Sequence, residues 1–498
     1  MRQSTLELHE KVAQTLLDRN MVSSGAVKAA HDERRLTGRP VGEILVKNGF
    51  IRHADLIDLL LEVAPELVRN EHAFVPSVPA EVFESTRSMI VAESADKLYV
   101  GTLSPQSIVT SRIQEHDDRD IIYVPASLER IENYIAEVER ISANSEDSLL
   151  DRIIYESLIH GVSDIHIIPK MDIYSILFRY LGVRHIHYSG LADEYNTLAA
   201  RIKDRSGMDL SERRVPQDGG FQVEYRGHFV DLRVATIPTV YGETIVIRVL
   251  DSEAINMRLD TLGITRVADW KRAISRADGL CLICGPTGSG KTTTLNATVR
   301  GMDRFSRSIY TAEDPVEYNM PYVAQVNVNT AVGLDFARSL RAFMRADPNV
   351  VILGEIRDEE TSRNMLRAAE TGHLVMATLH TGSIRGAVQR LQDLGVNAHE
   401  LRYLLRGVLV QRLMRVLCPK CHGAGCKHCM ETGYKGRTII SECSYFNNEE
   451  EVDAMMAGQR NWTTLVEDAV NKYKAGETDR KEVERIFGGE AEPYLNAI

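Results

Sequence analysis

The sequence has no uninterrupted apolar run of the ~18 residues that a membrane-spanning helix needs. The nearest approach, YLLRGVLVQRLMRVL, is broken by Arg406, Arg412 and Arg415. A basic excess is also missing: 59 Lys and Arg stand against 70 Asp and Glu, for a net charge of −11. No global field therefore draws the chain to nucleic acid or anionic lipid, and no nucleic-acid partner is expected. Aromatic residues are thin at 6%, but 44% apolar and 26% charged residues make an ordinary globular composition and exclude wholesale disorder. The start, MRQSTLELHEKVAQ, lacks the basic-then-apolar pattern of a secretory signal, so a soluble cytosolic protein is expected. The cysteines number 7, an odd count, and four crowd together at 418–429, which points to metal ligation in a reducing compartment over a disulfide framework.

At about 150 residues per domain, 498 residues predict roughly three domains. Leu and Ile at three- and four-residue spacing predict helix over residues 1–65, where TLLDRNMVSSGAVKAA weakly repeats as EILVKNGFIRHADLIDLL. SMIVAES, LYVGTL and DIIYVP predict a small α/β unit over 70–138. These two parts form an N-terminal docking region, 1–140, and the polar SANSEDS marks a linker at 141–150. Residues 151–255 read as α+β: a helix, LLDRIIYESLIHG, then the alternating runs SDIHIIP, YSILFRY, VRHIHYSG, HFVDLRVATI and ETIVIRVL. Over 256–498 apolar strands alternate with helices (GLCLICG, SIYTAED, VVILGEI, LVMATLH), the rhythm of a mostly parallel α/β sheet.

GPTGSGKT matches G-x-x-x-x-G-K-[ST] and lies between an apolar strand and the helical TTTLNATVRGM. Gly285, Gly288 and Gly290 let the backbone wrap, so that the loop Gly285, Pro286, Thr287, Gly288, Ser289, Gly290 and the following Lys291, Thr292 and Thr293 receive phosphate oxygens. Lys291 would reach the β- and γ-phosphates of ATP and Thr292 would ligate magnesium. A hydrolase also needs a carboxylate. Glu313, Asp314 and Glu317 follow one strand, and Glu355 and Asp358 follow another; strand ends in a parallel sheet share one edge. Gly354 occupies the usual place of a magnesium aspartate, so Glu355 is expected to be the general base, with Glu313 holding water or magnesium. His380 ends a strand on the same edge and is the candidate reporter of the γ-phosphate; His373 precedes that strand.

CPKCHGAGCKHC presents Cys418, Cys421, Cys426 and Cys429 as two C-x-x-C turns, which complete a closed tetrahedral zinc site, with His422 or His428 as substitute ligands. Cys281 and Cys284 share that spacing on a predicted strand, where an offset of three sends side chains to opposite faces; they are expected to fill cores, and Cys443 to be an unpaired thiol.

From about residue 145 to 490 these segments, with ERRVPQDGG, DLRVATIPTVYGE, LRAFMRADPNVVILGEIRD and TGYKGR, resemble the secretion ATPases that assemble type II secretion pseudopili and type IV pili. The resemblance implies a RecA-like P-loop ATPase domain behind an α+β, PAS-like domain, a homohexameric ring, and a peripheral place on the cytoplasmic face of the inner membrane against a platform protein. It makes Arg233 and Arg248 the arginines that clamp the triphosphate; Arg341 and Arg345, four apart on one helical face, either contact a neighbouring subunit or are ordinary surface charge. The cysteine knuckle and N-terminal region imply an assembly motor; a retraction or DNA-uptake motor, or a nucleotide-gated scaffold with little turnover, are the alternatives. The N-terminal repeat is also similar to modules that bind cyclic di-GMP, though only Arg39 to Gly42 approximate their start. Ile168 departs from the family pattern, which commonly has Glu there, as does the pair Leu181-Gly182, near which the family commonly reads Asp-Gly, and the cysteine pairs are closer than usual.

Overall fold

The computed structural model describes residues 11–63, 78–93, 97–117, 119–143, 148–225, 228–250 and 258–496. The chain divides into two compact units, Met1–Lys47 with Ile51–Ala254, and Asn48–Phe50 with Ile255–Ile498. Of the expected linker, residues 144–147 lie outside the described residues; a helix runs to Ala143 and another starts at Ser148.

Residues 11–63 are largely helical, as the Leu and Ile spacing predicts, while 1–10 and 64–65 of that stretch lie outside the described residues. Ser24–Thr37 shows how punctuation sets the ends: the Ser23 hydroxyl accepts from the Ala26 N–H, and Gly38 adopts φ 73°, which a glycine tolerates at a helix end. Strands β1 (Ser88–Glu93), β2 (Lys97–Thr102) and β3 (Asp120–Tyr123) follow as a three-stranded sheet. Next comes an antiparallel sheet of β4 (Asp164–Pro169), β5 (Ile173–Tyr180), β6 (Val183–Leu191), β7 (Gln217–Tyr225), β8 (His228–Thr239) and β9 (Gly242–Leu250), ordered β6-β5-β4-β9-β8-β7. One face is apolar: Ile165, Ile167, Ile176, Phe178, Leu232, Val234, Ile245 and Ile247 are buried. Period-2 alternation sends the intervening residues to the other face. The hydropathy pattern did not reveal β7, which lies in PQDGGFQVEY, where Gly219 and Gly220 interrupt the apolar alternation.

The second unit is built on β10 (Gly279–Cys284), β11 (Ile309–Glu313), β12 (Ala324–Asn327), β13 (Val350–Leu353), β14 (Leu374–Leu379), β15 (Leu405–Leu417) and β16 (Tyr434–Tyr445). Their order is β12-β11-β13-β14-β10-β15-β16, parallel except for β16 against β15. β10, β13 and β14 are buried along their whole length, the continuous apolar runs that a sheet covered on both faces requires. Cys284 belongs to the core on one face and Cys281 to the core on the other, as the offset of three predicts, and Cys443 is a buried free thiol beside Cys281's face.

Candidate functional site

Because β11, β13, β14 and β10 are parallel, their C-terminal ends form one edge, and the chain leaves each there through a chemically charged loop. Cys284 pairs with Leu379, Ala377 with Leu353, and Leu353 with Ala312. This register brings the phosphate loop after Cys284, His380 after Leu379, Glu355 two residues past Leu353, and Glu313 at the end of β11 to the same edge. Gly285, Gly288 and Gly290 adopt φ 148°, 76° and 87°, conformations that glycine reaches without Cβ strain. Gly290 caps the helix Lys291–Arg300, whose first turn carries Thr292 and Thr293. The Lys291 ammonium donates to the carbonyls of Gly285 at 2.8 Å and Pro286 at 3.1 Å. Burial lowers its pKa, opposed by the charges of Cys284 and Glu355.

Glu355 is held from two sides. His380 Nε2 lies 4.0 Å from its Oε2, and Arg357 donates to Glu355 while also reaching Asp314 at 3.1 Å. The hydrogen bond with Glu355 raises the Arg357 pKa, so a fixed cation accompanies the carboxylate. Glu313 is buried and turned toward β12: it accepts from Thr311 Oγ1 at 2.7 Å and from Gln325 Nε2 at 3.0 Å. Gly354 lies where β13 passes close to β11. A Cβ there would sit 3.2 Å from the Ala312 carbonyl and 3.3 Å from the Glu313 backbone, so a side chain at this position would be tightly packed against β11 and would require the backbone to give by a few tenths of an ångström. His373, at the opposite end of β14, places Nδ1 2.9 Å from the Ala368 carbonyl and serves a helix terminus away from this edge. Arg341 pairs with Glu360, and Arg345 donates to the Arg341 carbonyl; with Arg338 they line a cleft of about 540 Å³.

Arg233 and Arg248 belong to the first unit, where they are paired neighbours on β8 and β9. The same register row continues through Asp164 on β4, Arg179 on β5 and Arg184 on β6. Five strands thus carry four arginines in line around one carboxylate, which binds Arg248 at 3.1 Å and Arg179 at 3.4 Å.

The four knuckle cysteines hang from the β15–β16 hairpin. All their sulfurs lie within 4.8 Å of one another, with separations of 3.9 Å for Cys418–Cys426 and 3.7 Å for both Cys421–Cys429 and Cys426–Cys429. Sulfurs placed ~2.3 Å from a tetrahedral zinc are ~3.8 Å apart, whereas a disulfide is far shorter. The set therefore fits zinc without His422 or His428. The short link between the pairs is accommodated by left-handed backbone at His422, Gly423 and Gly425.

Two participants escaped sequence reading. Arg357 stands next to the expected base but carries no motif of its own. Gln411, on β15, is buried under the phosphate loop, over a hundred residues away in the chain.

Residues 141–486 match the family model described as "Type II/IV secretion system protein". The type II secretion system protein E of Dickeya dadantii is 38% identical over 68% of this chain and 75% of its own length. The type IV pilus assembly ATPase PilB of Myxococcus xanthus is 30% identical over 88% of this chain and 90% of its own. The Legionella pneumophila ATPase DotB shares the fold, with a TM-score of 0.56 over 68% of this chain and 95% of that one at 21% identity. A phosphate loop set on a RecA-like parallel sheet, together with these relatives, establishes that the chain belongs to the type II/IV secretion system protein family and is an ATPase.

Proposed function

We infer that this ATPase is the hexameric motor that powers assembly of a type IV pilus or a type II secretion pseudopilus, on the cytoplasmic face of the inner membrane. The observation that carries the reading is the shared sheet edge, where Lys291, Glu355 and His380 meet beside a loop shaped for phosphates. The chain has the parts for in-line attack by water. Gly285 to Thr293 bind the phosphates, and Glu355 takes the proton from water. Arg357 orients Glu355, Glu313 orients water from the neighbouring strand, and His380 contacts the γ-phosphate. The Thr292 hydroxyl and these carboxylates are the hard oxygen donors that magnesium prefers, and magnesium, when bound, neutralises phosphate charge. Arg233 and Arg248 close on the triphosphate as the first unit moves, which links hydrolysis to displacement of a membrane platform protein.

Cys418, Cys421, Cys426 and Cys429 hold structural zinc, which favours an assembly motor over a retraction motor. No helix among the described residues is long and apolar enough to cross a membrane, in keeping with a peripheral attachment. The N-terminal region, 1–140, docks the motor on its partner, with cyclic di-GMP as a candidate regulator; the domains otherwise divide as 151–255 and 256–498. Phosphate release by wild type and by Glu355→Gln tests the reading. Turnover lost in the variant with Mg-ATP binding retained supports it, and equal rates refute the base. Binding without turnover in both proteins points to a nucleotide-gated scaffold.

A further inference from the structure

We propose that Gln411 is a positioning residue for the phosphate loop, holding it in the form that accepts a triphosphate; the proposal rests on the ATP-binding reading above. β15 pairs with β10 as far as Val410 and Cys284, so Gln411 is the next residue along, level with the start of the loop. It is fully buried, and both ends of its amide are engaged. Nε2 donates to the Ser289 carbonyl at 2.8 Å, and Oε1 accepts from Thr294 Oγ1 at 2.8 Å. One rigid amide therefore joins the loop to the first turn of the helix that follows.

The peptide bond makes this contact directional. Ser289 C=O and Gly290 N–H belong to one trans, planar unit and point in opposite directions. Drawing the carbonyl onto Gln411 turns the Gly290 N–H away from β15, and a phosphate loop works by presenting such N–H groups in a fixed concavity. Gln411 also shapes the loop through its main chain: a Cβ at Gly285 would fall 2.4 Å from the Gln411 carbonyl oxygen. Within the loop itself, Ser289 N–H donates to the Pro286 carbonyl at 3.2 Å, which does nothing to fix the Ser289 carbonyl.

Gln411→Met keeps the length and burial of the side chain and removes both hydrogen bonds. Without them the receptive loop becomes a minor population, and apparent affinity falls by that fraction. In the full-length protein, Kd and KM for Mg-ATP should rise about tenfold while kcat at saturation stays within about twofold. The nucleotide-free melting temperature, a readout of a merely structural role, should change little. Gln411→Glu, which sets a carboxylate against the Ser289 carbonyl, should bind more weakly still. Unchanged Kd in Gln411→Met overturns the proposal, as does a parallel collapse of kcat, affinity and melting temperature. Should that variant be insoluble, Thr294→Val carries the test: loss of one bond should raise Kd about threefold, and no change overturns the proposal. If wild type itself fails to bind Mg-ATP, the ATP reading fails instead.

Discussion

Arg248 donates its Nε to Asp164 at 3.1 Å across the β9–β4 pair, although most of that arginine side chain is exposed. The contact fixes the direction in which an otherwise free guanidinium extends, and Arg179 shares the same carboxylate. If Arg248 stabilises transition-state charge, Arg248→Ala should lower kcat by on the order of 10³. Asp164→Asn keeps the strand and removes the anchoring charge, so a fall of about three- to tenfold is expected. Phosphate-release kinetics alongside melting curves decide the matter: an Arg248→Ala enzyme with wild-type turnover removes this residue from the chemistry.

Glu355→Gln should reduce kcat by about 10² to 10⁴, the range for loss of a general base, with Mg-ATP affinity within about threefold of wild type. Arg357→Ala should produce a smaller loss, because it frees the carboxylate without removing it. Single-turnover hydrolysis and equilibrium nucleotide binding separate the two effects.

The knuckle should contain one zinc per chain, measured by elemental analysis of purified protein. Cys429→Ser should lose it, since Cys429 is buried and its sulfur also accepts the Gly433 N–H at 3.2 Å. Chelation should lower the melting temperature of wild type and leave Cys429→Ser unmoved. Zinc-independent melting in both would dismiss the metal's structural role.

Leu181 and Gly182 form the two-residue turn between β5 and β6, both with positive φ, at 50° and 85°. Such turns favour Asn-Gly or Asp-Gly, and leucine is strained in the left-handed region. Leu181→Asn should therefore stabilise the protein by about 0.5 to 1 kcal/mol, read as a higher midpoint in urea. A lower midpoint would show that the leucine side chain earns its place by packing.

Glu482 has no exposed side-chain surface and lies between Arg415 on β15 and Arg485 on its own helix, Arg480–Phe487. Burial pushes its pKa up, but the hydrogen bonds from Arg485 and Arg415 outweigh it and the net shift is downward. A depressed carboxylate stabilises the fold above its unfolded pKa of ~4.5 and loses that contribution as pH falls through the folded value. Glu482→Gln should cost about 3 kcal/mol at pH 7, and its deficit against wild type should shrink below about pH 4.5. A pH-independent deficit would locate the effect in packing.

The sequence made the phosphate loop and the cysteine knuckle legible because each is a contiguous run whose spacing alone dictates its geometry. Cys281 and Cys284 were separable from the knuckle by strand periodicity for the same reason. Where the information lay in register, it was hidden. The line from Arg233 to Arg184 exists only because five strands pair in one alignment, and neighbours within it, Asp164 and Arg248, are 84 residues apart in the sequence. Gln411 was concealed by its setting, since Val408 to Met414 reads as an apolar stretch interrupted by arginine and its partners lie at 289 and 294. His373 and His380 were separable without register, since one precedes and the other follows the same apolar strand, which puts only His380 on the phosphate-loop edge.

β15 is thirteen residues long, while β10 covers only its first part. The seven residues from Gln411 to Leu417 span about 20 Å, and antiparallel pairing with β16 stiffens them into a beam. Its inner end rests against the nucleotide loop and its outer end bears the cysteine cluster. Arg415 and Leu417 are also hydrogen-bonded to Glu482 and Glu477 of the C-terminal segment, so the hairpin is a braced strut that joins the floor of the phosphate loop to the cysteine cluster.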